Sequence, residues 1–119
     1  MLTKKNLPEI YRLGKKYQKL FGLNDWEVSY QIADKYHRVM SDMSRAECAT
    51  DRAGRVCMIT FNSLISKKQM RRSLKHEMLE LLISDMDVFV CERIKKKCRS
   101  DWECLRHSMI RRLEKVVSL

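Results

Sequence analysis

Leu7, Ile10, Leu13, Tyr17, Leu20 and Phe21 recur at helical spacing, between a start marked by Asn6, Pro8 and Glu9 and a stop at Gly22. The spacing predicts an amphipathic helix from about residue 7 to 21. The period then drops to two. In "WEVSYQI", Trp26, Val28, Tyr30 and Ile32 alternate with Glu27, Ser29 and Gln31, the pattern of a half-buried strand. "DKYHRVMSDMS" has no period and reads as a connection. "RAECATDRAGRVCMITFN" predicts two strands about a turn at residues 51–55, where Gly54 can take positive φ. In the second strand Val56, Met58 and Thr60 form one face and Cys57, Ile59 and Phe61 the other.

Ser66 with Gln69 three residues on has the spacing of a capping box, and the helix it opens should run to about Val90 with Leu74, Met78, Leu81, Leu82, Asp85 and Phe89 turned mainly inward or flanking the core. Asp85 belongs near the edge of that arc or in a pair. A basic, partly helical stretch "ERIKKKCR" follows. Ser100 with Glu103 repeats the capping spacing ahead of a last helix whose apolar face is Trp102, Leu105, Met109, Leu113 and Val116. Helix, strand, hairpin, helix, helix is the order of an α+β domain with a small, mainly antiparallel sheet of about three strands. A length of 119 residues suits one domain, here residues 1–119.

Composition narrows the class. Hydrophobic residues make up 45% of the chain, and no apolar run is long enough to span a bilayer, so no membrane partner is expected. The first residues carry no apolar stretch behind their lysines, against a secretory signal, and a cytoplasmic protein is expected. Five cysteines, none in a C-x-x-C pair, suggest neither a disulfide framework nor a cysteine-based zinc knuckle. Cys48 and Cys57 should sit on adjacent strands as small buried residues, and all five are read as thiols. The methionines, Met40, Met43, Met70, Met78, Met86 and Met109 among them, are read as core filler. A formal charge of +10 favours an acidic partner, nucleic acid being the usual one, and solubility is its plainer explanation.

The polar positions of the long helix form one stripe: Ser73, His76, Glu77, Glu80, Ser84 and Asp87. A long helix must show water some face, and this stripe could be only that. Yet from His76 to Glu92 there is no Lys or Arg, in a chain where they number 25. Cations are missing where a bound metal would repel them. His76 and Glu80 stand one turn apart, so an imidazole nitrogen and a carboxylate oxygen could reach one ion, with Glu77 placed to hold a water. A hydrolytic zinc site needs three protein ligands and an open position. The third donor must come from elsewhere, and His107 on the last helix is the candidate. His37, in the connection, is left as a surface residue.

Four segments carry a resemblance: "GLNDWEVSY", "GRVCMITFN", "MRRSLKHEMLELL" and "RHSMIRRLEKVV". In this order, and nearly end to end, the chain resembles the short zinc metallopeptidases of phage and prophage genomes, minimal gluzincins related in layout to SprT-like proteins. The resemblance implies a zincin-like fold with an active-site helix and a C-terminal helix, peptide-bond hydrolysis, one zinc ion, and a substrate laid along an edge strand near residues 56–61. The family's H-E-x-x-H is H-E-x-x-E here, with Glu80 at the second ligand position, and the family's acidic third ligand falls at or next to His107. The implied set is therefore His76, Glu80 and His107 on zinc, two imidazoles and one carboxylate, with Glu77 as general base. Glu103 is the rival to His107. In place of His, Glu80 bears on whether the site turns over, through the basicity of the water it would neighbour.

The expected function is zinc-dependent hydrolysis of a peptide or protein substrate. The alternative is a non-catalytic protein on the same scaffold that binds nucleic acid without sequence preference through Arg93, Lys95, Lys96, Lys97, Arg99, Arg106, Arg111 and Arg112.

Overall fold

The structure, a computed structural model, describes residues 1–33 and 45–117. The connection "DKYHRVMSDMS", with His37, Met40 and Met43, lies outside the described residues. The elements are α1 (Leu7–Phe21), β1 (Glu27–Ala33), β2 (Ala46–Asp51), β3 (Val56–Asn62), α2 (Lys67–Arg93) and α3 (Arg99–Val116), with short 3-10 turns at Lys4–Asn6 and Lys96–Cys98. The chain packs as two units, Met1–Met78 and Leu79–Leu119, and the boundary falls inside α2.

In the first unit, α1 ends where its sequence says it should, with Gly22 in the left-handed region at φ 69°. Its beginning holds more than the periodicity showed. Thr3 and Asn6 cap the 3-10 turn reciprocally, so the Asn6 side chain serves that turn and not α1 itself. Ile10, Gly14, Tyr17 and Gln18 form the buried face. Gln18 is the polar member, and its Nε2 donates to the carbonyls of Leu23 (3.2 Å) and Trp26 (2.8 Å), tying the helix to the loop that starts β1. Gly14 gives the Tyr30 ring room, since a Cβ there would lie 2.6 Å from Tyr30 Cζ and closer still to its hydroxyl.

The sheet has the order β1-β3-β2 and is mixed: β2 runs antiparallel to β3, while β1 runs parallel to it. This corrects the mainly antiparallel expectation. Ala33, the end of β1, pairs with Asn62, and Ala46, the start of β2, pairs with Phe61. The chain therefore leaves β1 and starts β2 at one end of β3 but on opposite sides of it, which leaves β1 parallel to the returning strand. Burial alternates along β1 and most of β3, whereas β2 is half-buried over Ala46–Cys48 and exposed over Ala49–Asp51. Tyr30, Cys57, Ile59 and Phe61 are buried on the inner face, and Gln31 Nε2 donates to Thr60 Oγ1 (2.8 Å) on the other.

The hairpin turn departs from expectation at one residue. Arg55, not Gly54, takes positive φ, at 54°. For a residue with a Cβ this is a costly conformation. It places the Arg55 guanidinium 5.1 Å from the centre of the Trp26 ring and 3.7 Å from Asp25, and the Arg55 carbonyl accepts from Glu27 N (2.8 Å), contacts that join the turn to the start of β1.

Ser66 and Gln69 cap α2 as predicted, Gln69 N donating to Ser66 Oγ (3.1 Å) and Ser66 N to Gln69 Oε1 (2.9 Å). Along α2, Met70, Leu74, Met78, Leu79, Leu81 and Ile83 are buried, whereas Leu82, Asp85 and Phe89 are exposed. The inward arc holds through Leu81; Asp85 is exposed, as its place near the edge implies, and Leu82 and Phe89 are turned out against expectation. The capping box at Ser100 does not form. The 3-10 turn Lys96–Cys98 runs straight into α3, so the helix is already under way when Ser100 is reached.

The second unit is an antiparallel pair made by the end of α2 and α3. Trp102 Nε1 donates to Asp87 Oδ1 (2.7 Å), Arg106 lies 3.4 Å from Glu80 and 3.5 Å from Asp87, and Arg99 donates to the Cys91 carbonyl (3.4 Å). These contacts fix the rotation of α3 by the row Trp102, Arg106 and Ile110, the last fully buried. Leu105, Leu113 and Val116, expected on the apolar face, are exposed for that reason.

Candidate functional site

The polar stripe of α2 is not a solvated face. Ser73 and Glu77 are buried, and His76, Glu80, Ser84 and Asp87 are half-buried. Helical geometry turns Glu77 about 100° from His76, and in the first unit its buried side chain is near enough to β3 for its charge to raise the Cys57 thiol pKa. His76 and Glu77 belong to the first unit; Glu80 and His107 belong to the second.

Glu80 has a partner that the linear reading missed. The window from His76 to Glu92 is free of cations along the chain, but α3 supplies one: Arg106 Nη1 donates to Glu80 Oε1 at 3.4 Å, and the same guanidinium faces Asp87. Arg106 was counted with the basic, nucleic-acid-facing residues, and its side chain is only 19% exposed. The signal that could have found it was the α3 periodicity: Trp102, Arg106 and Ile110 form one row, and the two acids of α2 lie seven residues apart, two turns of helix. His107, the next residue, is exposed on α3, as is Glu103, its rival.

Among the described residues no group of three or more His, Cys, Asp and Glu side chains is arranged to hold a metal ion. His76 and Glu80 fit zinc in donor type and in their spacing along one helix, and His107 fits in type. A metal at Glu80 would compete with Arg106 for this carboxylate or share it, since Arg106 donates to Oε1. Comparison with protein-family models, characterised proteins and solved structures finds no match to this chain.

The edge-strand expectation needs correction. Residues 56–61 lie in β3, the central strand, with both its sides paired. Among the described residues, β1 and β2 are the strands paired on one side. A peptide added to this sheet would pair with one of them. Among the described residues no helix is long and apolar enough to cross a membrane.

Proposed function

We propose that this chain is a zinc-dependent peptide hydrolase of the minimal zincin type, cytoplasmic, with His76, Glu80 and His107 as the metal's ligands and Glu77 as general base. The observation that supports it is the burial of the H-E-x-x-E stripe: a polar face kept only for solubility would be exposed, yet Glu77 is buried and His76 and Glu80 are half-buried. Zinc, when bound, would supply Lewis acidity and a water ionised near neutral pH. The chain's own part is to hold a proton at the Glu77 carboxylate and to offer an outer strand of the sheet, β2 or β1, to an extended peptide. Arg106 restrains Glu80 until a metal competes for it.

The test is zinc content and peptide hydrolysis of untagged protein. Stoichiometric zinc is expected in the parent, weakened binding in His76→Ala and His107→Ala, retained zinc without hydrolysis in Glu77→Gln, and tighter zinc in Arg106→Met because the competing guanidinium is gone. A parent protein that takes up no zinc from a micromolar excess sinks the reading. Loss of zinc in Glu77→Gln would make that residue a ligand.

A second reading, binding of nucleic acid through its phosphates, is favoured by the exposure of Lys95, Lys96, Lys97, Arg111 and Arg112. It is compatible with the first.

A further inference from the structure

The hairpin brings two thiols together. Cys48 on β2 pairs in register with Ile59, and Cys57 on β3 pairs with Thr50, so the two cysteines are diagonal neighbours on the inner face of the sheet. Their Sγ atoms are 2.8 Å apart. A disulfide is about 2.05 Å long, so the sulfurs need to close by less than about 1 Å. Exposure differs between them: Cys57 is fully buried, whereas Cys48 is half-buried and is the sulfur an outside reagent reaches first. The hydrogen bond with Cys48 lowers the Cys57 pKa, against burial and the Glu77 charge, which both raise it.

We propose that Cys48 and Cys57 form a reversible dithiol–disulfide couple whose oxidant is a small disulfide of the glutathione type. In the first step the Cys48 thiolate attacks one sulfur of the reagent, breaking its S–S bond. One reagent thiolate leaves and takes up the proton that Cys48 gave. In the second step the Cys57 thiolate attacks the Cys48 sulfur of the mixed disulfide and expels the second reagent thiol, protonated by the proton from Cys57. The protein loses two hydrogens and two electrons, and the reagent is reduced to two thiols. Nothing in this exchange depends on zinc. The bridge would lock β2 to β3 on the inner face, within the reach of the Glu77 charge.

The experiment treats the full chain with oxidised glutathione, alkylates the remaining thiols under denaturing conditions, and reads the intact mass and tryptic peptides. Cleavage after Arg45, Arg52, Arg55 and Lys67 separates the two cysteines, so the bridge appears as peptide 46–52 linked to peptide 56–67. The expected result is loss of two hydrogens, three alkylated thiols out of five and that one linked pair, reversed by dithiothreitol. Cys57→Ser should instead stop at a stable glutathione adduct on Cys48. Since the linked peptide is read in the parent protein, the result stands even if the variant fails to fold. Five alkylated thiols, a stable adduct on Cys48 in the parent, or a bridge drawn from Cys91, Cys98 or Cys104 would each overturn the proposal.

Discussion

Gly14 lies within α1 and Gly22 just past its end, and the two answer to different physics. In an exposed helix, Gly→Ala stabilises by about 1 kcal/mol. At Gly14 the sign should reverse, because the added methyl meets the Tyr30 ring, and overpacking of this kind costs about 1–3 kcal/mol. At Gly22 nothing lies within 4 Å of the added atom, so Gly22→Ala should cost only the left-handed conformation, about 1–2 kcal/mol. Urea midpoints distinguish the two once Tyr30→Ala is added: it should partly offset the cost of Gly14→Ala and leave that of Gly22→Ala unchanged. Glu9 makes a second test at this scale. The Arg71 hydrogen bond (2.7 Å), helped by the charges of Arg71, Lys67 and Arg12 and opposed by slight burial, holds its carboxyl below the ordinary range. A depressed folded pKa means that its stabilising effect is present above the unfolded pKa and fades as pH falls through the folded one. Glu9→Gln should therefore cost stability at neutral pH and flatten the acid limb of a melting-temperature profile.

At the level of elements, the best-read parts were those set by neighbours in sequence. The α1 boundaries, the alternation of β1 and β3, the Ser66–Gln69 cap and the hairpin each depend on residues a few positions apart, and each stands in the structure. The parallel pairing of β1 and the rotation of α3 were not legible, because each is decided by a partner far away in sequence. Arg106 shows why: in a linear count it adds to a basic cluster, and in space it is the ion pair of Glu80 and Asp87. Asp87 is the residue to perturb. Asp87→Ala removes both the Trp102 hydrogen bond and the Arg106 contact, and should cost about 2 kcal/mol, as for hydrogen bonds to a charged group. Asp87→Asn keeps an acceptor for Trp102 and loses only the charge, so about 0.5–1 kcal/mol is expected. Equal costs from the two changes in a denaturant series would mean that the charge, not the Trp102 bond, holds α3 in its rotation.

Over the whole molecule the charge is divided unequally. Residues 1–78 carry 16 Lys and Arg against 8 Asp and Glu, which is +8 of the formal +10, and Lys15, Lys16 and Lys19 on α1 are exposed. Sequence reading put the polyanion-binding residues in the linker and last helix; net charge makes the first unit a second candidate surface. Changing Lys95, Lys96 and Lys97 together to Gln, and separately Lys15, Lys16 and Lys19, should show which set lowers DNA affinity and reduces its salt dependence, each lost phosphate contact lowering the slope by about 0.9. No binding at low salt in the parent would end the nucleic-acid reading. The candidate site was legible as a motif but not as an assembled set of donors, since spacing places His76 and Glu80 on one helix and says nothing of where α3 brings His107. The central position of β3 also bears on how the chain folds. Asp51 and Val56 are five residues apart at the hairpin, whereas Gln31 and Thr60 are 29 apart across β1 and β3. Closing the longer loop costs more entropy before any contact repays it, so the hairpin can form within about 1–10 μs while β1 must find its strand afterwards. That docking step is where a folding barrier belongs, and weakening β1 against β3 would slow folding most if the pair is already formed at the barrier top.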